Sequence, residues 1–204
     1  MCSCKGDRVV RHNAIRNVFY EEAGQASLRP EREKAGLLPK RPLEDGLGAT
    51  TGTRRPADVW FPRGPDGRGV AHDFACTSGL RSDLLARTVE NPFSVFEAYE
   101  DFKRGHLDTE RSCEEQGFAF QPMVLEAHAG AWSLAARRVL ETVARGQAAT
   151  WNEKHEAASL LIAQRLSAAL HRENARAVMK RIAKCFEDVP RSSWEGFTEA
   201  PECE

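Results

Sequence analysis

The spacing of apolar residues along the chain predicts four main helices. Apolar side chains recur every three or four positions over 9–26, 93–116 and 131–145, which places them on one side of a helix. The same repeat runs through 151–186, where a break is expected near Arg172. The buried stripe of the second helix is expected to contain Phe96, Tyr99, Phe102 and Leu107.

Most of the sequence between the first three of these helices shows patterns typical of strands. Strands are expected at 32–37, 54–61, 70–76 and 118–126. Asp66-Gly67 is a strong turn signal, so the two central strands should be antiparallel neighbours. Pro122 favours an edge position or a bulge for the last strand, because proline cannot donate a ladder hydrogen bond. The predicted order is helix, three strands, helix, strand, helix.

Two segments show no periodicity. Residues 40–53 are rich in Pro, Gly and Thr and predict a long loop, which is either mobile or functional. Residues 189–204 are acidic and carry Pro, Ser and Gly, a composition typical of a disordered tail.

Composition narrows the class of protein. With 204 residues, 41% hydrophobic and 29% charged, the chain suits one globular domain, alone or with an appendage. It contains no run of eighteen apolar residues and no apolar segment after its first charges. We therefore expect no membrane span and no secretion, and an intracellular protein, nuclear or cytoplasmic. A net charge of −1 argues against a strongly cationic nucleic-acid binder, although a local basic surface remains open.

One such surface is the later half of the last helix. Its basic residues are opposed by Glu173 alone and comprise Arg172, Arg176, Lys180, Arg181 and Lys184. They form either a solvated helix surface or a surface that contacts phosphates.

The two central strands each carry one aspartate in an apolar setting. Asp58 and Asp73 are separated by fourteen residues. Aspartate is unfavourable in strands, and half-burying a carboxylate costs free energy unless it is paired or binds a metal. The two residues indicate either a divalent-cation site or exposed strand ends. Glu33, on the preceding strand, is either a third carboxylate for Mg²⁺ or Mn²⁺ or a surface residue.

Six cysteines without a secretion signal indicate reduced thiols or metal binding rather than disulfides. Cys2, Cys4 and His12 offer three zinc ligands, but a structural zinc site needs four and no fourth lies nearby. Residues 1–12 are therefore either a zinc knuckle whose first part is missing or ordinary terminal residues.

The element order, with Arg55-Pro56-Ala57-Asp58 and His72-Asp73-Phe74-Ala75, resembles the PD-(D/E)xK, restriction-endonuclease-like nucleases. More narrowly, Arg-Pro-x-Asp followed by a second Asp is similar to the endonuclease domain that follows the reverse transcriptase in non-LTR retrotransposons. The resemblance covers about residues 2–145. It implies an α/β (α+β) fold with an αβββαβ core at 9–146, after a zinc knuckle at 1–12. Helices at 150–188 would form a C-terminal appendage.

The resemblance also implies a chemistry, the hydrolysis of DNA phosphodiester bonds with Mg²⁺ or Mn²⁺. Asp58 and Asp73, with Glu33 and the Phe74 carbonyl, would hold the metal, and Lys103 would stabilise negative charge or orient the water. Positively charged residues would hold the backbone of DNA, or of an RNA–DNA intermediate, and these are Arg54, Arg55, Arg172, Arg176, Lys180 and Arg181. The chain would then be a fragment of a reverse transcriptase/endonuclease polyprotein.

Two positions depart from the family pattern. Ala57 stands where the family has proline, and Ala75 stands where it often has lysine. These departures keep a second interpretation open, in which the fold is a catalytically degenerate nuclease. Such a protein would act as a non-enzymatic module that binds nucleic acid or another protein.

Overall fold

The structure, a computed structural model, describes residues 5–40 and 54–187. The predicted zinc ligands Cys2 and Cys4, nearly all of the predicted loop and the acidic tail lie outside the described residues. The elements in chain order are α1 (Lys5–Gln25), β1 (Glu31–Arg32), β2 (Val59–Phe61), β3 (Val70–Thr77), α2 (Leu85–Glu90), α3 (Ser94–Gly105), a 3-10 turn (His106–Asp108), α4 (Thr109–Glu115), β4 (Ala119–Glu126), α5 (Leu134–Trp151) and α6 (His155–Glu187).

The strands form one mixed sheet in the order β1-β2-β3-β4. Strand β2 is antiparallel to both β1 and β3, and β4 runs parallel to β3. This confirms the mixed α/β class and the antiparallel central pair. It also confirms the edge position expected from Pro122. Strand β1 is shorter than predicted, because Glu33 has a φ of +46° and leaves the extended conformation.

A tight turn sets the register of the central hairpin. The Gly67 N–H donates to the Gly64 carbonyl over 3.0 Å, and Gly67 has a φ of +85°, which glycine tolerates without strain. Val59 then lies opposite His72. Asp58 and Asp73 are the next residues on the two sides of this pair, and the Asp58 N–H donates to the His72 carbonyl at 2.9 Å. Regular pairing stops there, shortly after Pro56, which has no N–H to donate.

Side chains on the two faces of the sheet have different partners. The face that carries Val59, Phe61, His72 and Phe74, termed the apolar face, is covered by α1, α5 and α6. Phe19 of α1 stands at its centre, with ring centroids 5.7 Å from Phe61 and 5.1 Å from Phe74.

Helix α6 belongs to this same core and is not an appendage. It contributes Ile162, Leu166 and Leu170, which are fully buried with Phe19. The break predicted near Arg172 is absent, and the helix continues to Glu187. Just past that point Asn174 binds the helix to the rest of the fold, because its amide donates to the Ala127 carbonyl and its oxygen accepts from Arg11.

The opposite face carries Trp60, Ala71 and Asp73 and is termed the aspartate face. It is covered by α3 and α4, and Cys113 is fully buried there, as predicted for a small hydrophobe. The single helix predicted over 93–116 is wrong. Leu107 and Asp108 have φ values of +58° and +50°, so the chain changes direction and Phe102 and Leu107 are exposed instead of continuing the stripe.

Within residues 5–40 and 54–187, none of the helices combines the length and the apolar character that crossing a membrane requires.

Candidate active site

Asp58 is held at the point where β2 and β3 separate. Its Oδ2 accepts a hydrogen bond from the Phe74 N–H at 2.7 Å and lies 3.0 Å from His12 Nε2. Burial alone would raise the pKa of Asp58, but the contacts with His12 and with the Phe74 N–H outweigh it. The pKa of Asp58 is therefore lowered from its ordinary value, and the residue is a carboxylate.

Asp73 lies beside both a cation and a second acid. Its Oδ2 accepts a hydrogen bond from Lys103 Nζ at 2.7 Å. The carboxyl group of Asp58 is also within hydrogen-bonding reach. Burial and the nearby negative charge raise the pKa of Asp73 to about 6, although Lys103 opposes the change. The structure thus brings Asp58, Asp73 and Lys103 together.

Lys103 comes from α3, thirty residues along the chain from Asp73. Burial would lower its pKa, but attraction by Asp73 outweighs this effect, and the pKa of Lys103 is raised. The side chain is about one-fifth exposed and remains a cation beside Asp58 and Asp73, termed the acidic pair.

Two cavities flank these residues. A cleft of about 510 Å³ is lined by Asp58 and Lys103 together with His12, Arg16 and Glu33. A second cavity of about 360 Å³ borders Asp73 on its other side and is lined by Arg54, Arg55 and His106. The acidic pair is therefore open to a ligand from either side, and arginines lie at both openings.

Glu33 is not grouped with the two aspartates as the sequence predicted. Its carboxylate forms an ion pair with Arg16, and it accepts a hydrogen bond from Arg55 Nη1 at 3.2 Å. The positive φ at Glu33 removes it from the strand that would have pointed it at the aspartates. In the described part of the chain, no three His, Cys, Asp or Glu side chains form a group that could hold a metal ion.

The acidic pair nevertheless fits a hydrated Mg²⁺ or Mn²⁺. Mg²⁺ commonly binds through one or two carboxylates and keeps several water molecules. The raised pKa of Asp73 reflects burial and a neighbouring negative charge, and a divalent cation would compensate that charge. Asp58 and Asp73 would be the protein ligands.

His12 lies at this site, although the sequence presented it as a zinc ligand or an ordinary terminal residue. Besides its contact with Asp58, its Nδ1 lies 3.2 Å from Asn13 Oδ1. These contacts raise its pKa, although burial alone would lower it. A signal was present in the sequence, because Ile15 and Phe19 lie three and seven residues after His12 and share its side of the helix.

The predicted nucleic-acid contacts are partly committed to other partners. Arg54 donates to Ser112 Oγ at 3.2 Å, and Arg55 is bound to Glu33. On α6, the nitrogen atoms of Arg176, Lys180 and Arg181 lie 3.7, 3.9 and 3.5 Å from the buried carboxylate of Asp7, and Arg172 pairs with Glu173. The basic residues are thus opposed by Asp7 as well as by Glu173, which the sequence pattern did not reveal.

Comparison with models of known protein families gave no match, and comparison with curated proteins gave none either.

Proposed function

We propose that the protein is a metal-dependent DNA endonuclease with a restriction-endonuclease-like core, of the kind found in non-LTR retrotransposon polyproteins. The observation that carries the proposal is the meeting of Asp58, which immediately precedes β2, and Asp73 of β3 with Lys103 Nζ, which lies 2.7 Å from Asp73. The order of helix, three strands, helices and strand agrees with the family resemblance.

The site residues divide into two roles in this proposal. Asp58 and Asp73 hold Mg²⁺ or Mn²⁺, which when bound polarises the scissile phosphate and activates a water molecule. Lys103 supplies a fixed positive charge where negative charge develops on the phosphate oxygens. Arg54 and Arg55 lie at the opening on the far side of Asp73, where they can position a phosphate backbone without reading sequence.

Lys103 can replace the lysine that is missing at position 75. The family often supplies a lysine two residues after the second aspartate, and Ala75 cannot replace it. The amino group of Lys103 reaches Asp73 from α3 instead. This supports an active enzyme over a degenerate copy.

The proposal is tested by nicking of supercoiled plasmid DNA with Mg²⁺ or Mn²⁺. The wild-type chain should nick, chelation by EDTA should stop the reaction, and Asp73→Asn should abolish it. Asp101→Asn is the matched control. It makes the same chemical change at a position on α3 where the side chain is 82% exposed. Its activity should equal that of the wild type.

Equal residual nicking by wild type and Asp73→Asn would contradict the nuclease proposal. The departures at Ala57 and Ala75 favour the second function in that case, a non-enzymatic interaction module. Binding of DNA without cleavage, measured by an electrophoretic mobility shift in Mg²⁺, would support that module.

A further inference from the structure

His12 is the one group at the acidic pair to which the proposed reaction gives no role. Its Nε2 lies 3.0 Å from Asp58 Oδ2, and 28% of its side chain is exposed in the cleft. Ile15 and Phe19, one and two turns further along α1, are buried in the core of the apolar face. Packing of the helix therefore fixes His12 at the entrance of the site.

We infer that His12 is a positioning residue, which holds the carboxylate of Asp58 in the orientation that binds the divalent cation. The inference rests on the proposed nuclease function and adds a residue that the family resemblance did not assign to the reaction. His12 acts through Asp58, so it need not touch the substrate.

Asp58 Oδ2 has two hydrogen-bond donors. The Phe74 N–H approaches this oxygen from β3 at 2.7 Å, and His12 approaches it from α1 at 3.0 Å. Two donors from different elements fix the carboxylate plane, so that Oδ1 can bind a cation. The terminal torsion of aspartate has a broad energy profile, so a single donor would fix that plane poorly.

Asn13 supports the same arrangement from the other side of the ring. Its Oδ1 lies 3.2 Å from His12 Nδ1. With one ring nitrogen at Asn13 and the other at Asp58, the imidazole cannot turn without losing a contact. Outer partners of this kind typically change metal affinity or activity by about 10- to 100-fold when they are removed.

The experiment compares Mn²⁺ binding by the full chain, measured by electron paramagnetic resonance without DNA, in the wild type and four variants. His12→Ala and His12→Phe remove the donor, and the second keeps ring volume if the first fails to fold. His12→Gln keeps a side-chain N–H. His155→Ala is the matched control, since that histidine pairs with Glu141 on the α5–α6 side of the molecule.

We expect His12→Ala and His12→Phe to weaken Mn²⁺ binding by about 10-fold or more. His12→Gln should recover most of the affinity, and His155→Ala should match the wild type. In plasmid nicking, the Mg²⁺ concentration for half-maximal rate should rise by a similar factor, while the rate at saturating Mg²⁺ changes less. A merely structural role would not produce this split or the rescue by glutamine.

Three results separate this inference from the proposed function. Wild-type Mn²⁺ affinity in both His12→Ala and His12→Phe would overturn the inference and leave the nuclease proposal intact. Mn²⁺ binding that depends on His12, without any nicking by the wild type, would support the positioning role and contradict the nuclease. Absence of Mn²⁺ binding by the wild type would overturn both.

Discussion

His72 and Asp73 are neighbours on β3, and both are largely removed from water, yet their surroundings have little in common. The His72 ring lies on the apolar face, 4.3 Å from the centroid of Phe61 and 5.7 Å from that of Phe19. Its Nδ1 lies 3.3 Å from the Val59 carbonyl, and burial lowers the pKa of His72 to about 4, so the ring is neutral at pH 7. Asp73 lies beside a second carboxylate and a lysine and borders one cavity, lined also by Arg54 and Arg55.

The difference shows why burial of an ionisable side chain does not by itself indicate a functional site. The neutral His72 ring contacts one backbone carbonyl and two aromatic rings, so it carries no charge that a ligand would have to balance. At Asp73, one lysine lies near two carboxyl groups, so the negative charge there is only partly balanced. The distinction can be tested by changing one face at a time.

The largest effect is expected from Phe19→Ala, which removes the centre of the apolar face. Phe19 is fully buried, and its truncation should lower the free energy of unfolding by about 3–5 kcal/mol. Urea unfolding followed by circular dichroism measures this. Phe102→Ala is the matched control, because its ring is 54% exposed, and its effect should stay within about 0.5 kcal/mol. Similar losses in the two variants would contradict the assignment of the core.

The next effect concerns activity on the aspartate face. Lys103→Met should lower the nicking rate by about 100-fold, because a fixed positive charge beside the developing negative charge is lost. Initial rates of plasmid nicking at saturating Mg²⁺ measure this. Lys154→Met, at an exposed position, is the control and should nick like the wild type. An unchanged rate in Lys103→Met would remove Lys103 from the proposed mechanism.

A third prediction separates stability from activity at the same face. Lys103→Met alone should cost about 2 kcal/mol, below the range for fully buried pairs because Asp73 is partly exposed and can take up a proton. Replacing both partners, in Asp73→Leu with Lys103→Met, should restore at least the wild-type stability and leave no nicking. Thermal and urea unfolding of the three chains measure this. A double variant less stable than Lys103→Met would contradict the view that the pair serves chemistry rather than folding.

The smallest effect is expected at His72. His72→Phe keeps a ring of similar size against Phe19 and Phe61 and loses the contact with the Val59 carbonyl, at a cost of about 1 kcal/mol. Nicking should be unchanged, because the substitution lies on the apolar face. Loss of nicking in a stably folded His72→Phe would show that the two faces are not independent.

The part of the site that lies within the hairpin was predictable from sequence. The Asp66-Gly67 turn signal identifies the antiparallel pair, and counting outward from Gly64 and Gly67 brings Val59 opposite His72, with Asp58 and Asp73 as the next residues. Such local information suffices because the register of a hairpin follows from its turn and its alternation of side chains. The choice of Lys103 also came from sequence, but only through a family resemblance. Its contact depends on how α3 packs, which no local pattern encodes.

Other features depended on tertiary contacts or backbone conformations without a local signal. Nothing in Arg32-Glu33 indicates the left-handed backbone that turns Glu33 toward Arg16 and Arg55. The pairing of Arg176 and Arg181 with Asp7 joins the two ends of the described chain and arises only when α6 packs on α1. Periodicity predicted these helices well, but it could not say which charged residues would meet.

The turn at Gly64–Gly67 limits which mutations this hairpin can accept during evolution. Fourteen residues separate the two aspartates. Exposed turn residues can be exchanged in kind as long as Gly67 keeps its positive φ and Gly64 carries no Cβ, which would lie 2.4 Å from Val70 Cγ2. A change in their number is different, since one added residue must either be absorbed by a new turn type or slip the register and send Asp73 to the other face. Selection would therefore act on the length of this hairpin more strictly than on its composition.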